Sequence, residues 1–342
     1  MPTLLIPPIP TFEAFLSRPG GSALALKKAT DTSIDIKTVK KVLDGTASPA
    51  SAEALLADMM KAMPAAIHGA EQFDAYVRNT YPNDEEADER AIVMNRLSWQ
   101  IVIYSLECTA KPTPELPANW VSPFIRCLLP LDKASVRATA LARKGRFADA
   151  IEVSRTTELA RYLPDACWKD IEAATTIQEY AVASAPLRML GALYILAVAE
   201  VHAYPNSDGS RLAYCLPTED GGKNSHPFAV SLAALQERLG IQTSEEFAEK
   251  LLLDGDKADA DDQRRNLRRW RQGTVPERSL FGAMMNRVYQ HLGQNAWRPD
   301  EEAPLYFGLR YMHALGRTPV ARFFGSKKAF FAIYPTFYAS VR

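Results

Sequence analysis

Apolar residues recur at helical spacing along this chain and almost nowhere alternate. Ala54, Leu55, Met59 and Met63 form one such set, and Ile92, Leu97, Ile101 and Tyr104 form another. A period near 3.6 gathers apolar side chains on one face of a helix, whereas a half-buried strand needs a period of two. The pattern predicts an all-α, mostly α-helical fold. Hydrophobic residues make up 47% of 342 positions, enough to bury more than one core. The longest apolar run, MLGALYILAVA from Met189 to Ala199, stops at Glu200 and is too short to span a bilayer. A buried core helix is expected there, and no membrane partner.

Proline and polar residues break the helical pattern twice, in KPTPELPANWVSP at 111–123 and in AYPNSDGSRLAYCLPTEDGGKNSHP at 203–227. The breaks predict an N-terminal helical domain over 1–110, a central helical layer over 118–204 and a C-terminal module over 227–342. Within the central layer, LARKGRFADAIEVSRTTELARYLPDA at 141–166 places Gly145, Phe147, Ala148 and Ala150 at a helix–helix junction. It resembles a tetratricopeptide hairpin, which implies a protein-docking surface. No second copy follows at the repeat period, so an ordinary helical hairpin is the simpler reading.

The cysteines Cys108, Cys127, Cys167 and Cys215 are far apart and form no CxxC pair, so neither a zinc site nor a disulfide framework is expected. That usage suits a reducing cytoplasm. The opening MPTLLIPPIP breaks its apolar run with Pro7, Pro8 and Pro10, unlike a signal peptide. His68, His202, His226, His291 and His313 make no HExxH or similar ligand pair, and no phosphate loop, dinucleotide turn or nucleophile elbow occurs. No cofactor and no enzymatic activity are expected. The acidic run Asp84, Glu85, Glu86, Asp88 and Glu89 reads as a solvated segment.

Forty basic residues balance forty acidic ones, so any affinity for nucleic acid must come from a local patch. The stretch RRNLRRWRQGTVP at 264–276 is such a patch, with five arginines and no acid. Leu267 and Trp270 are three apart and face one core, Gly273 can supply a left-handed cap, and Pro276 stops the helix. Upstream, Ser244, Glu246, Phe247 and Ala248 read as the start of a preceding helix.

Together, residues 244–288 resemble the repressor-like, Cro-type helix-turn-helix family, with LLDGDKADADD in place of that family's short turn. A weaker copy of the helix ending lies within 23–60, where Val39, Val42, Gly45 and Thr46 repeat the order of Leu267, Trp270, Gly273 and Thr274. The resemblance implies a DNA-binding or transcription-associated factor of bacterial or mobile-element type, with double-stranded DNA as partner. Gln263, Arg264 and Asn266 would stand near the base edges, and Arg268, Arg269 and Arg271 within reach of phosphates, with Arg265 a further nucleic-acid contact. Lys37, Lys40 and Lys41 form the thinner patch of the N-terminal copy.

A second reading keeps the helices as architecture only, in a protein-interaction or scaffold protein. Residues 245–262 carry eight acids, Glu245, Glu246, Glu249, Asp254, Asp256, Asp259, Asp261 and Asp262, which could pair with the arginines and mask them. After Glu302 the chain has no acid, and Arg310, Arg317, Arg322, Lys327 and Lys328 are interleaved with Phe323, Phe324, Phe330, Phe331, Phe337 and Tyr338. Such rings either stack on single strands or pack into the core or a homo-oligomer interface.

Overall fold

The computed structural model describes residues 32–43, 47–62, 127–204, 207–219, 226–243, 246–248, 260–292 and 299–342, with Lys27. Among the described residues there are helices and turns but no strand, so the fold is all-α. Two compact units make up the chain, Met1–His202 with Ser340–Arg342, and Ala203–Ala339. The first unit takes in the 1–110 segment and the 118–204 segment as far as His202. The second begins where the polar stretch 203–227 begins.

In the first unit, α1 (Ile36–Leu43) follows Asp35, whose carboxylate accepts the backbone N–H groups of Lys37 at 2.9 Å and Thr38 at 3.1 Å. The hydroxyl of Thr38 donates to the same carboxylate at 2.6 Å, and these bonds hold it below the usual carboxylate range. Helix α2 (Pro49–Ala62) opens on Ser48, with proline at the first helical position where no N–H is needed. The two helices pack together, and Val39 and Val42 of the first and Ala52 and Leu55 of the second are fully buried.

Helices α3 (Leu129–Arg143) and α4 (Phe147–Arg155) form a hairpin about Gly145, which takes φ 76°. Gly145 N–H donates to the carbonyl of Ala142 and Arg146 N–H to that of Leu141, so the last carbonyls of α3 are satisfied at its end. The hydroxyls of Thr139 and Ser154 are buried and return to carbonyls four residues back. Helices α5 (Asp165–Glu172), α6 (Ile177–Ala183) and α7 (Ala185–Ala203) follow in the chain. Every residue from Gly191 to Glu200 in α7 is buried, as its continuous apolar run requires. No single described helix is long and apolar enough to cross a membrane.

In the second unit a 3₁₀ turn (Leu212–Cys215) leads to α8 (Pro227–Arg238), α9 (Ala260–Arg271), α10 (Arg278–His291) and α11 (Pro299–Gly316). Phe228 of α8, Phe281 of α10 and Tyr306 of α11 meet with ring centroids 5.4–6.0 Å apart. Their edge-on and tilted geometry suits the ring quadrupoles. Tyr306 also donates to the carbonyl of Pro276 at 2.8 Å, tying α11 to the segment between α9 and α10.

Helices α12 (Val320–Phe324), α13 (Lys327–Phe331) and α14 (Tyr334–Val341) end the chain. Phe330, Phe331, Tyr334 and Phe337 are fully buried and Tyr338 nearly so, with Phe323 and Phe324 half-buried. These rings belong to the core and are not a platform for bases.

Candidate nucleic-acid interface

Helix α9 is built as the spacing of its apolar residues requires. Leu267 is 1% exposed and Trp270 4%, while Arg265, Arg268 and Arg269 lie on the solvent side. At about 100° per residue, positions 265, 268 and 269 fall on one arc opposite 267 and 270. The helix ends in a left-handed cap: Gly273 takes φ 96°, its N–H donates to the carbonyl of Trp270 at 3.1 Å, and Thr274 N–H donates to that of Arg269 at 3.0 Å. Gly273 is also pressed against the ring of His226, so a Cβ there would lie 2.7 Å from His226 Cε1. Both the φ and the ring demand glycine.

The candidate residues separate by their angle around α9. Arg265, Arg268 and Arg269 share the exposed arc. Arg264, expected to point outward near the base edges, is half-buried, because it stands three residues before Leu267 on the same side. Asn266 is half-buried at the other edge. Arg271 donates to Gln236 Oε1, which joins α9 to α8. The side chain of Gln263 lies outside the described residues.

Of the helix expected upstream, one turn at 246–248 is described. Phe247 and Ala248 are buried. The turn starts on Thr243, whose hydroxyl accepts the N–H of Glu246 at 3.1 Å, while Glu246 Oε2 accepts the N–H of Gln242 at 3.3 Å. This reciprocal arrangement is a near capping box, one residue earlier than the Ser244 start read from the sequence. Ser244 and residues 249–259, with most of the acidic stretch, lie outside the described residues, and so does Gly45.

The N-terminal candidates show a correspondence that the glycine alignment alone did not display. With Val39 and Val42 set on Leu267 and Trp270, Lys37, Lys40 and Lys41 fall on Arg265, Arg268 and Arg269. All six are exposed, and both apolar pairs are buried. In each helix the carbonyl of the third basic residue accepts a bond from beyond the helix end, Lys41 from Ala47 at 3.1 Å and Arg269 from Thr274.

Two features outside α9 had no signal in the sequence. In the first unit a cavity of about 440 Å³ is lined by Cys127, Leu131, Thr157, Glu158 and Tyr194 among others. Tyr194 Oη donates to Glu158 Oε2 at 3.2 Å, and burial, with Cys127 and Glu158 beside it, pushes the phenol well above its usual range. In the second unit the rings of His226 and His313 lie 6.1 Å apart, although 87 residues separate them in the chain. Burial lowers both imidazoles from 6.5, His313 to about 4.

Among the described residues no group of three His, Cys, Asp or Glu side chains is placed to hold a metal ion. Cys167 is buried, and burial, then Asp170, pushes its thiol up and away from nucleophilic character. Compared with protein-family models, curated proteins and solved structures, the chain matches none of them.

Proposed function

We propose that the chain is a DNA-binding, transcription-associated factor that meets double-stranded DNA through α9 and, more weakly, through α1. One observation carries this reading. Two helices, one in each unit, present three basic residues at i, i+3 and i+4 on the exposed arc while an apolar pair at the same register anchors the opposite side. Three cations within one and a half turns of a rigid, capped helix match phosphates along one strand, and neighbouring polar side chains can reach base edges. The resemblance of 244–288 to Cro-type helix-turn-helix domains supports the same reading. Arg265, Arg268 and Arg269 then act as phosphate contacts, and Arg264 and Asn266 sit at the margins of the interface.

The test is a titration of duplex DNA at several salt concentrations. Binding through the two arcs gives an affinity that falls steeply with salt, and replacing Arg265, Arg268 and Arg269 by alanine lowers the log–log salt slope by about 2–3. An affinity insensitive to salt or to the triple substitution removes the reading.

A scaffold role is the alternative, favoured by the α3–α4 hairpin about Gly145, the segment that resembles a tetratricopeptide hairpin. Affinity capture from native cells separates the two. Stoichiometric protein without nucleic acid supports the scaffold, and nuclease-sensitive recovery supports the DNA-binding factor.

A further inference from the structure

Helix α11 carries Arg310 and His313, and Arg317 follows just beyond its end, so the three stand at i, i+3 and i+7 along one stripe. The His313 ring faces that of His226 with centroids 6.1 Å apart and planes at 41°. His226 stands immediately before α8 and lies against the Gly273 cap that closes α9. Lys327, the first residue of α13, is near enough to act electrostatically on both rings, and Arg310 and Arg317 act on His313. Among the described residues, the charged side chains that act on either ring, Lys327, Arg310 and Arg317, are all basic. Residues 303–342 contain no acidic side chain, and the acids of α11, Asp300, Glu301 and Glu302, stand at its start, eight or more residues before Arg310.

This cluster is reachable from solvent. Arg310, His313, His226 and Lys327 are half-buried and Arg317 is exposed. Burial first, and then the neighbouring cations, disfavour the charged form of both imidazoles. Each neutral ring still has an N–H to donate. A tetrahedral oxyanion accepts hydrogen bonds on several oxygens at once and carries the charge the cluster lacks.

We propose that His226, His313, Arg310, Arg317 and Lys327 form a binding site for an oxyanion of the phosphate class, set at the C-terminal end of α9. The site goes beyond the arginine arc of α9 and does not depend on it. Its phosphate comes either from the backbone of a nucleic acid lying along α9 or from a free phosphate-bearing small molecule.

Sulfate is the probe, since its charge stays constant across the range in which histidine titrates. The full-length, isotopically labelled protein is titrated with sodium sulfate, and with sodium chloride at matched ionic strength, while the imidazole signals of His226 and His313 are followed by NMR. Sulfate should move both signals saturably and raise both imidazole pKa values by about one unit or more, and chloride should do neither. Combining Lys327→Gln with Arg317→Gln should weaken sulfate binding about tenfold or more, with unchanged circular dichroism. His313→Gln is the second variant and should weaken it alone. Linear, unsaturable shifts, or the same shifts in chloride, overturn the site.

A duplex arm identifies the source. Displacement of sulfate by duplex DNA, with weaker duplex binding in the Lys327→Gln protein, assigns the site to a DNA phosphate. Saturable sulfate binding that duplex DNA leaves untouched assigns it to a free phosphate compound. Salt-dependent duplex binding through Arg265, Arg268 and Arg269 without any sulfate effect overturns the site and leaves the DNA reading standing.

Discussion

Trp270 and Gly273, three residues apart, hold opposite ends of one local design. Trp270 anchors α9 by burial, and truncation to alanine leaves a cavity. Trp270→Ala should cost about 3–5 kcal/mol, read by chemical denaturation of the full chain. Gly273 ends the helix for two separable reasons, its positive φ and the His226 ring. Gly273→Ala should cost more than about 2 kcal/mol, of which about 1–2 belongs to the left-handed backbone. In a His226→Ala background the steric part disappears, so the same substitution should cost measurably less. Equal losses in the two backgrounds would mean that the ring yields freely. Arg264 shows how little separates inside from outside on such a helix: one position from Arg265, it turns from the exposed arc to the edge of the core.

The elements owe their ends to side chains that the sequence displays. Helix α6 starts with a full capping box, in which Thr176 Oγ1 accepts the N–H of Glu179 and the Glu179 carboxylate accepts the N–H of Thr176. The N–H and hydroxyl of Thr175 bind the same carboxylate and contribute most to lowering its pKa. Thr176→Ala should cost about 0.5–2 kcal/mol by denaturation, and Thr176→Ser much less. Helix α9 divides its work between its two sides. Arg268→Glu with Arg269→Glu changes only exposed positions and should leave stability within about 0.5 kcal/mol of the parent. Duplex binding, the role proposed for that arc, should fall sharply in the same protein. A large loss of stability would mean that the arc serves the fold.

At the scale of the whole molecule, the two units need not respond alike to acid. His313 has a folded pKa of about 4 against 6.5 in the unfolded chain, because burial and then His226 and the nearby cations disfavour its charged form. The unfolded chain therefore takes up the proton first as pH falls. Stability from this group is complete above about 6.5 and is lost progressively down to about 4, and His226 shifts in the same direction. Denaturation of the full chain over that range should show the Ala203–Ala339 unit weakening as pH drops. His313→Gln should flatten the dependence, and sulfate, by favouring protonated rings, should oppose the loss. A slope unchanged in the variant would place the pH dependence in carboxylates.

The all-α class was legible because helical periodicity is written into neighbouring residues, and burial of Leu267, Trp270, Val39 and Val42 followed from spacing alone. The Gly273 cap was legible for the same reason, since glycine and proline limit the backbone locally. The tail was ambiguous: basic and aromatic residues alternate there in a way that suits either a binding surface or a core, and only packing turned Phe330, Phe331, Tyr334 and Phe337 inward. The match of Lys37, Lys40 and Lys41 to Arg265, Arg268 and Arg269 lay in the sequence, but it gained physical meaning once both sets proved exposed. The meeting of His226 with His313 was not there to be read. Local sequence determines which face of a helix is apolar and where the helix stops. Which distant faces meet depends on how several helices pack at once, and so the basic cluster beside Gly273 exists only in the tertiary structure.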